Sequence, residues 1–190
     1  DISKNVDLIL TKDPDKILKA DKIILPGVGD FSFCKKGLLS IDGMHQAIYE
    51  SITVKAKPFL GICVGMQLMA EKSYENGSHS GLSLIKGEVK SLKETLNINN
   101  LKIPHMGWNQ ITKLEDHSIL KNIKNGEHFY FVHSYHMVCS SEKNILAITE
   151  YGENITAAIF KDNLIGVQFH PEKSQKAGQV FINNFLNWKI

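Results

Sequence analysis

Short apolar runs alternate with amphipathic stretches along the first third of the chain. Residues 6–10 and 22–25 read as short buried strands, with the weakly helical "DPDKILKA" between them. "PGVGD" at 26–30 then breaks the pattern with one proline and two glycines. Met44, Ile48 and Ile52 recur at helical spacing, and residues 58–62 form another short apolar strand. Val64 and Leu68 begin a helical stripe that runs out near "ENGSHSG". From 84 to 167 the pattern predicts short strands: "LSLIKGEV", "FYFVHSYHMV", "NILAIT", "ITAAIF" and "LIGVQF". A last helix carries Phe181, Phe185 and Trp188 on one face. No internal repeat, linker or low-complexity segment interrupts the chain. Alternating strands and helices point to an α/β domain with a largely parallel sheet, which the antiparallel-looking second half extends or flanks.

Composition narrows the classes. The 190 residues are 43% hydrophobic, enough for one core, so a single domain is expected. The net charge is +2 and all 22 basic residues are lysine. Arginine is the preferred fork for phosphate and base edges, so its absence argues against nucleic-acid reading or phosphate gripping by this chain alone. A codon bias behind the many Lys, Asn and Ile explains it equally well. No apolar run approaches the ~18 residues of a membrane span, and "DISKNVDLIL" does not read as a signal peptide. Cys34, Cys63 and Cys139 are odd in number and widely spaced. That suggests a reducing, cytoplasmic setting.

One cysteine stands in an unusual place. Gly61-Ile-Cys-Val-Gly65 lies between a strand and a helical stripe, which has the logic of a nucleophile elbow. A sharp turn lifts the side chain above the sheet, and small neighbours let the backbone fold beneath it. The following helix points its N-terminus at the sulfur, which favours thiolate. A small hydrophobe buried in a tight turn is the bland alternative.

A thiol nucleophile needs a base, and the base an orienter. His45, His79, His117 and His128 sit in polar or loop contexts and read as surface residues. His133 and His136 fall on opposite faces of a strand, and a zinc reading of these histidines lacks a third ligand. His170 differs. "GVQFHPEKS" puts it at a strand end with Glu172 two residues on, projecting to the same side in extended backbone. Pro171 between them fixes φ. The carboxylate can then select the imidazole tautomer and stabilise the imidazolium. Negative charge on the attacked carbonyl needs two backbone donors. The N–H of Val64 is one, and Val28 and Gly29 in "PGVG" can supply the other. A plain turn is the competing reading of "PGVG".

"LPGVG", "GICVGMQLM" and "FHPEKS" together resemble the class I (triad-type) glutamine amidotransferases. "IPHMGWNQI" and "FYFVHSYH" make the chain similar, within that family, to the glutaminase subunits of imidazole glycerol phosphate synthases. Five motifs occur in the family's order, from about residue 20 onward. The resemblance implies a flavodoxin-like three-layer sandwich, its central sheet mostly parallel with additional antiparallel strands. It implies one glutaminase domain over residues 1–190, with no cofactor and no metal. Glutamine would be hydrolysed to glutamate through Cys63, His170 and Glu172 by way of a glutamyl thioester. Gln67, Glu75, Ser134 and Tyr135 would hold the substrate, with Glu75 on its ammonium group. Ammonia would pass to a (β/α)₈-barrel cyclase subunit in histidine biosynthesis, met by Trp108, Tyr130 and Lys173. Phosphate recognition would then belong to the barrel, and basal turnover would stay low until it binds.

Members of the family open with a strand and a loop of the type Asp-Tyr-Gly-x-Gly-Asn, then a helix. None of that precedes Asp1, so a fragment, or a leader not included, is expected. Three alternatives stay open: a glutaminase feeding a different amidotransferase, such as one acting on surface sugars; a non-catalytic binding module on the same fold; and a γ-glutamyl peptidase.

Overall fold

The computed structural model describes residues 6–95 and 101–190. In chain order the elements are α1 (Pro14–Lys19), β1 (Ile23–Gly27), α2 (Phe31–Leu39), α3 (Met44–Tyr49), β2 (Phe59–Cys63), α4 (Val64–Gln67), β3 (Lys72–Ser73), β4 (His79–Ser80), β5 (Gly87–Ser91), α5 (Leu92–Thr95), β6 (His105–Lys113), β7 (Glu127–His133), β8 (Tyr135–Cys139), β9 (Ile145–Tyr151), β10 (Glu153–Lys161), β11 (Leu164–Val167) and α6 (Gln175–Asn187). A π-helical turn, Glu50–Val54, continues α3.

Seven strands form the central sheet in the order β1-β2-β11-β10-β9-β6-β7. β2 runs parallel to both β1 and β11. From β11 to β7 every neighbouring pair is antiparallel. Only the β1–β2 and β2–β11 pairs are parallel, so among the described strands the central sheet is mostly antiparallel, not mostly parallel as expected: the antiparallel strands of the second half join it and make up its greater part. Parallel neighbours need a crossover, and α2 and α3 provide it between β1 and β2. β2 is buried at every residue, as a parallel strand covered on both faces must be. Among the described strands β1 pairs with β2 alone, a setting that tolerates Pro26. A second sheet, β4-β3-β5-β8, stands beside the first.

The core holds the aromatic positions that the pattern placed inside. Phe181 and Phe185 of α6 are fully buried, and Trp188 is buried just past its end. Phe169 lies edge-on to Phe181 and packs against Phe129 and Phe131 of β7. Met44, Ile48 and Ile52 are all buried, so the spacing in α3 continues through the π turn. Among the described residues no helix is long and apolar enough to cross a membrane.

Four local expectations change. Residues 6–10 form no strand, and Leu8 and Leu10 are 79% and 100% exposed. An apolar run becomes a strand only where a neighbour supplies its hydrogen bonds, and no described strand lies alongside it. The helical stripe from Val64 stops at Gln67. The carbonyls of Leu68, Met69 and Ala70 instead accept from Leu82, Leu84 and Ser83, so tertiary bonds replace the helical ladder. "LSLIKGEV" becomes a strand only from Gly87. "FYFVHSYHMV" is two strands in different sheets, broken at Ser134, whose carbonyl accepts from Leu92 N–H. A helix that the pattern did not single out, α2, starts at Asp30, whose carboxylate accepts from Phe33 N–H at 2.9 Å.

Candidate active site

β2 ends in Cys63, whose backbone has φ 54° and ψ −112°, a region costly for a residue with a Cβ. In the turn α4 folds back against β1, β2 and β11, with its Gly65 close against the backbone of β1 and β2. A Cβ on Gly65 would lie 1.8 Å from the Leu25 carbonyl oxygen, and one on Gly61 2.6 Å from that of Gly65. The two glycines flanking the cysteine are thus steric requirements of the elbow. Cys63 is 5% exposed, and its side chain borders a cleft of about 250 Å³.

Burial pushes the Cys63 thiol up to about 11, and the Val64 N–H offsets only part of that. The expectation of a thiolate favoured by a helix N-terminus therefore does not hold at rest. α4 has four residues, too few for an appreciable dipole, and desolvation outweighs it. The thiolate must be made by a base.

His170 supplies that base. Its Nδ1–H donates to Glu172 Oε1 at 2.7 Å, which leaves the Nε2 lone pair free. Nε2 is buried and bonded to nothing. The ring borders the same cleft as Cys63. Its backbone is clamped to β7: His170 N–H donates to the Tyr130 carbonyl, and Ser174 Oγ donates to the His170 carbonyl while accepting from Tyr130 N–H. Phe169, locked in the aromatic cluster, anchors the segment from the other side. In this resting arrangement Cys63 and His170 share no hydrogen bond, although they face one cleft.

The same cleft is bordered by Val28, Gly29, Val64, Gln67, Glu75, Ser134, Tyr135 and Lys173. These come from β1's exit, the elbow, the turn after β3, the β7–β8 break and the segment after His170. Glu75 borders the cleft from a loop. It sits in the turn after β3, where Oε2 accepts from Phe31 N–H at 2.8 Å and Asn76 Nδ2 donates to Asp30. Burial raises its pKa, the Phe31 bond partly opposing this. Gln67 is buried and donates Nε2 to the Tyr135 carbonyl at 3.0 Å. Outside the cleft mouth, Trp108 and Tyr130 are cross-strand partners with ring centroids 6.1 Å apart, and Lys173 Nζ lies over the Tyr130 ring. Trp108 is 47% exposed, so it is not a core tryptophan.

Sequence reasoning missed four residues. His105 Nδ1 and His133 Nε2 are 3.0 Å apart, and His133 Nδ1 faces the Tyr135 carbonyl at 2.9 Å. Because a carbonyl only accepts, Nδ1 of His133 carries the proton, Nε2 accepts from His105 Nδ1–H, and His105 Nε2 accepts from Asn109 Nδ2. Burial holds His105 and His133 down to about 4 and about 3, consistent with two neutral rings. Ser174 and Gln168 are the others. His105 and Asn109 lie on alternate positions of one strand, a signal visible in "HMGWN"; no local signal marks Ser174. His117 was read as a surface residue, but it packs against Phe160 and Trp188, and burial lowers its pKa. His133 and His136 are both buried because the chain breaks between them. Among the described residues no group of three His, Cys, Asp or Glu is arranged to hold a metal.

A model of the class-I glutamine amidotransferase family matches residues 2–188. The imidazole glycerol phosphate synthase subunit HisH of Rhodopseudomonas palustris is 49% identical over 185 residues, covering 96% of this chain and 85% of its own. HisH of Rhodospirillum rubrum is 49% identical over 183 residues, with the same coverage, 96% and 85%. Among solved structures, a glutamine amidotransferase superposes with a TM-score of 0.66 at 14% identity, over 93% of this chain and 82% of its own. The PurLQS structure from Thermotoga maritima gives 0.62 at 19% identity, over 88% and 79%. At these identities the two structures speak for the fold alone. With a cysteine at a strained elbow, a histidine whose tautomer a glutamate fixes, and this likeness along nearly the whole chain, the protein belongs to the class I glutamine amidotransferases, among the HisH subunits of imidazole glycerol phosphate synthase.

Proposed function

We infer that the chain is the glutaminase subunit of an imidazole glycerol phosphate synthase in histidine biosynthesis, and that a (β/α)₈-barrel cyclase subunit receives its ammonia. The observation that carries the chemistry is the free, buried Nε2 of His170 on the cleft that Cys63 also borders, with Glu172 bonded to the other ring nitrogen. Glutamine enters the cleft with its ammonium group toward Glu75, whose carboxylate is half-buried and faces the same space. Ser134, Tyr135 and Gln67 hold its polar head.

His170 Nε2 takes the thiol proton as sulfur attacks the side-chain carbonyl carbon. The oxyanion is met by the N–H of Val64 and by the backbone at Val28 and Gly29. His170 then gives its proton to the departing nitrogen, and ammonia leaves a glutamyl thioester. Water, deprotonated by the same imidazole, cleaves the thioester to glutamate and restores the thiol. Glu172 keeps the ring in the tautomer that every step needs.

Free ammonia protonates in water and stops being a nucleophile, so a shielded route to an acceptor site is advantageous. Trp108, Tyr130 and Lys173 form a contiguous aromatic and cationic cluster that adjoins the cleft through Lys173. We assign the barrel contact to it. The lysine-only basic set fits a division of labour in which the barrel grips the phosphorylated substrate.

The absent bond between Cys63 and His170 accords with low basal turnover that rises on partner binding. Glutamate release measured with and without the purified barrel subunit tests this. A large increase with the barrel is expected. Equal rates in both would remove the partner-dependence, and activation by a sugar amidotransferase instead would reassign the partner.

A further inference from the structure

Gln168 leaves β11 two residues before His170 and is fully buried, yet the reaction as described gives it no task. Its carboxamide makes two directed contacts. Nε2 donates to Cys63 Sγ at 3.7 Å, and Oε1 accepts from Gln67 Nε2 at 3.1 Å. Its backbone N–H is already bonded to the Ala157 carbonyl, so the side chain is not needed to satisfy its own main chain.

The orientation of this amide follows from its neighbours. Gln67 Nε2 spends one proton on the Tyr135 carbonyl, which only accepts. The other goes to Gln168, so the atom it meets must be the oxygen, and the nitrogen must face the sulfur. The Tyr135 carbonyl is in turn fixed by His133 Nδ1–H. A swap of Gln168 would set donor against donor, and a swap of Gln67 would set acceptor against acceptor, inside the protein, where an unmade hydrogen bond is costly. Gln67 is left with only its oxygen to offer the cleft.

We propose that Gln168 belongs to the catalytic machinery: its buried amide N–H stabilises the Cys63 thiolate as it forms, while its oxygen locks Gln67 so that Gln67 presents an acceptor to the substrate. The chemistry supports this. A sulfur leaving water needs donors to carry negative charge, and Val64 N–H is the other one near it. His170 Nε2 cannot serve as a standing donor, because Nδ1–H is committed to Glu172 and Nε2 must accept the thiol proton. Gln168 gives a donor that does not exchange protons, present both when the thiolate forms and when the thioester sulfur departs. The oxygen contact joins two functions in one side chain, because tilting Gln168 would loosen nucleophile and substrate holder together. The proposal rests on Cys63 being the nucleophile.

Alkylation of Cys63 by iodoacetamide across pH, followed by peptide mass spectrometry to separate it from Cys34 and Cys139, tests this. The other titratable groups around the sulfur and its cleft, Glu172, Lys173, Cys34, His170, Glu75, His133 and Tyr135, are the same residues in every variant compared. In Gln168→Met the rate–pH curve is expected to move about one unit higher, which lowers the rate at a fixed pH below it about tenfold. Gln168→Glu keeps the size and places a carboxylate against the sulfur; its curve should move further in the same direction. Both should lower kcat for glutamine, and Gln168→Met should also raise KM. Thermal melting checks that each variant is folded. If either folded variant alkylates along the wild-type curve, the thiolate role is overturned. If wild-type Cys63 is not labelled by a glutamine-like electrophile at all, the nucleophile assignment fails instead, a distinguishable outcome.

Discussion

Two turns at the ends of adjacent parallel strands face the same cleft and are built on opposite principles. The turn after β2 carries Cys63 in a strained conformation and is packed without slack, with Gly61 and Gly65 in backbone contact. The turn after β1 carries Val28 and Gly29. There Val28 is 71% exposed, Gly29 has φ +92°, and a Cβ on Gly29 would meet nothing within 4 Å. The Val28 carbonyl accepts from the Cys34 thiol at 3.2 Å, which is a weak hold. The nucleophile is therefore fixed by sterics that cannot relax, while its proposed oxyanion partner is a turn that packing leaves open. The partner-dependent turnover proposed above would draw on this division, with the strained part built in and the roomier turn completing the hole.

Substitutions can break that contrast. The largest effect is expected from Gly65→Ala. Its methyl group would meet the Leu25 carbonyl oxygen at 1.8 Å, and that oxygen is backbone, which cannot swing aside as a side chain can. A loss of at least about 3 kcal/mol is expected, seen as a collapse of soluble yield or a large drop in Tm. A near-normal Tm would show that the elbow is looser than the distances imply.

An alkaline effect comes next. The unfolded Cys63 thiol loses its proton near 9.0 and the folded one near about 11. Between those values the folded chain holds the extra proton, so stability falls as pH rises through the window. Cys139 adds a fall of the same sign. Chemical denaturation at a series of pH values should show it, and Cys63→Ala should remove the Cys63 part while leaving those of Cys139 and of Cys34, whose thiol burial also raises.

Gly29→Ala is expected to act differently from Gly65→Ala. No clash arises, and the cost is that of a side chain at positive φ, about 1 kcal/mol. Turnover should fall more than the small Tm change suggests, because the oxyanion backbone becomes stiff. The smallest effect is expected from Cys34→Ala, which removes the weak bond to Val28, with a change in stability below about 1 kcal/mol by denaturant titration.

The same contrast separates what the chain's letters disclosed from what they hid. Cys63, His170 and Glu172 were legible because tight strand-end geometry demands particular residues at fixed offsets: glycine at ±2 from the sulfur, and proline between base and carboxylate. The apolar positions of α3 and α6 were legible because helical spacing survives in sequence. Residues 6–10 have an apolar strand's composition but no pairing neighbour, and pairing is not a local property. The helix after Cys63 was overestimated because residues 81–85 capture its carbonyls from outside the window. Gln168 and His105 escaped notice for a related reason. Their roles come from partners 105 and 28 positions away; "HMGWN" shows that His105 shares a strand face with Asn109, but nothing adjacent to either residue signals the distant partner.

The assignment of Cys63 as nucleophile is most directly tested by reaction with a glutamine-mimicking electrophile, with the adduct located by mass spectrometry. All three cysteines are free, so each could in principle be labelled. The expected result is one adduct, on Cys63, blocked by glutamine and lost together with glutamate release in Cys63→Ala. Labelling of Cys34 or Cys139 in its place, or glutamate release that survives in Cys63→Ala, would contradict the assignment.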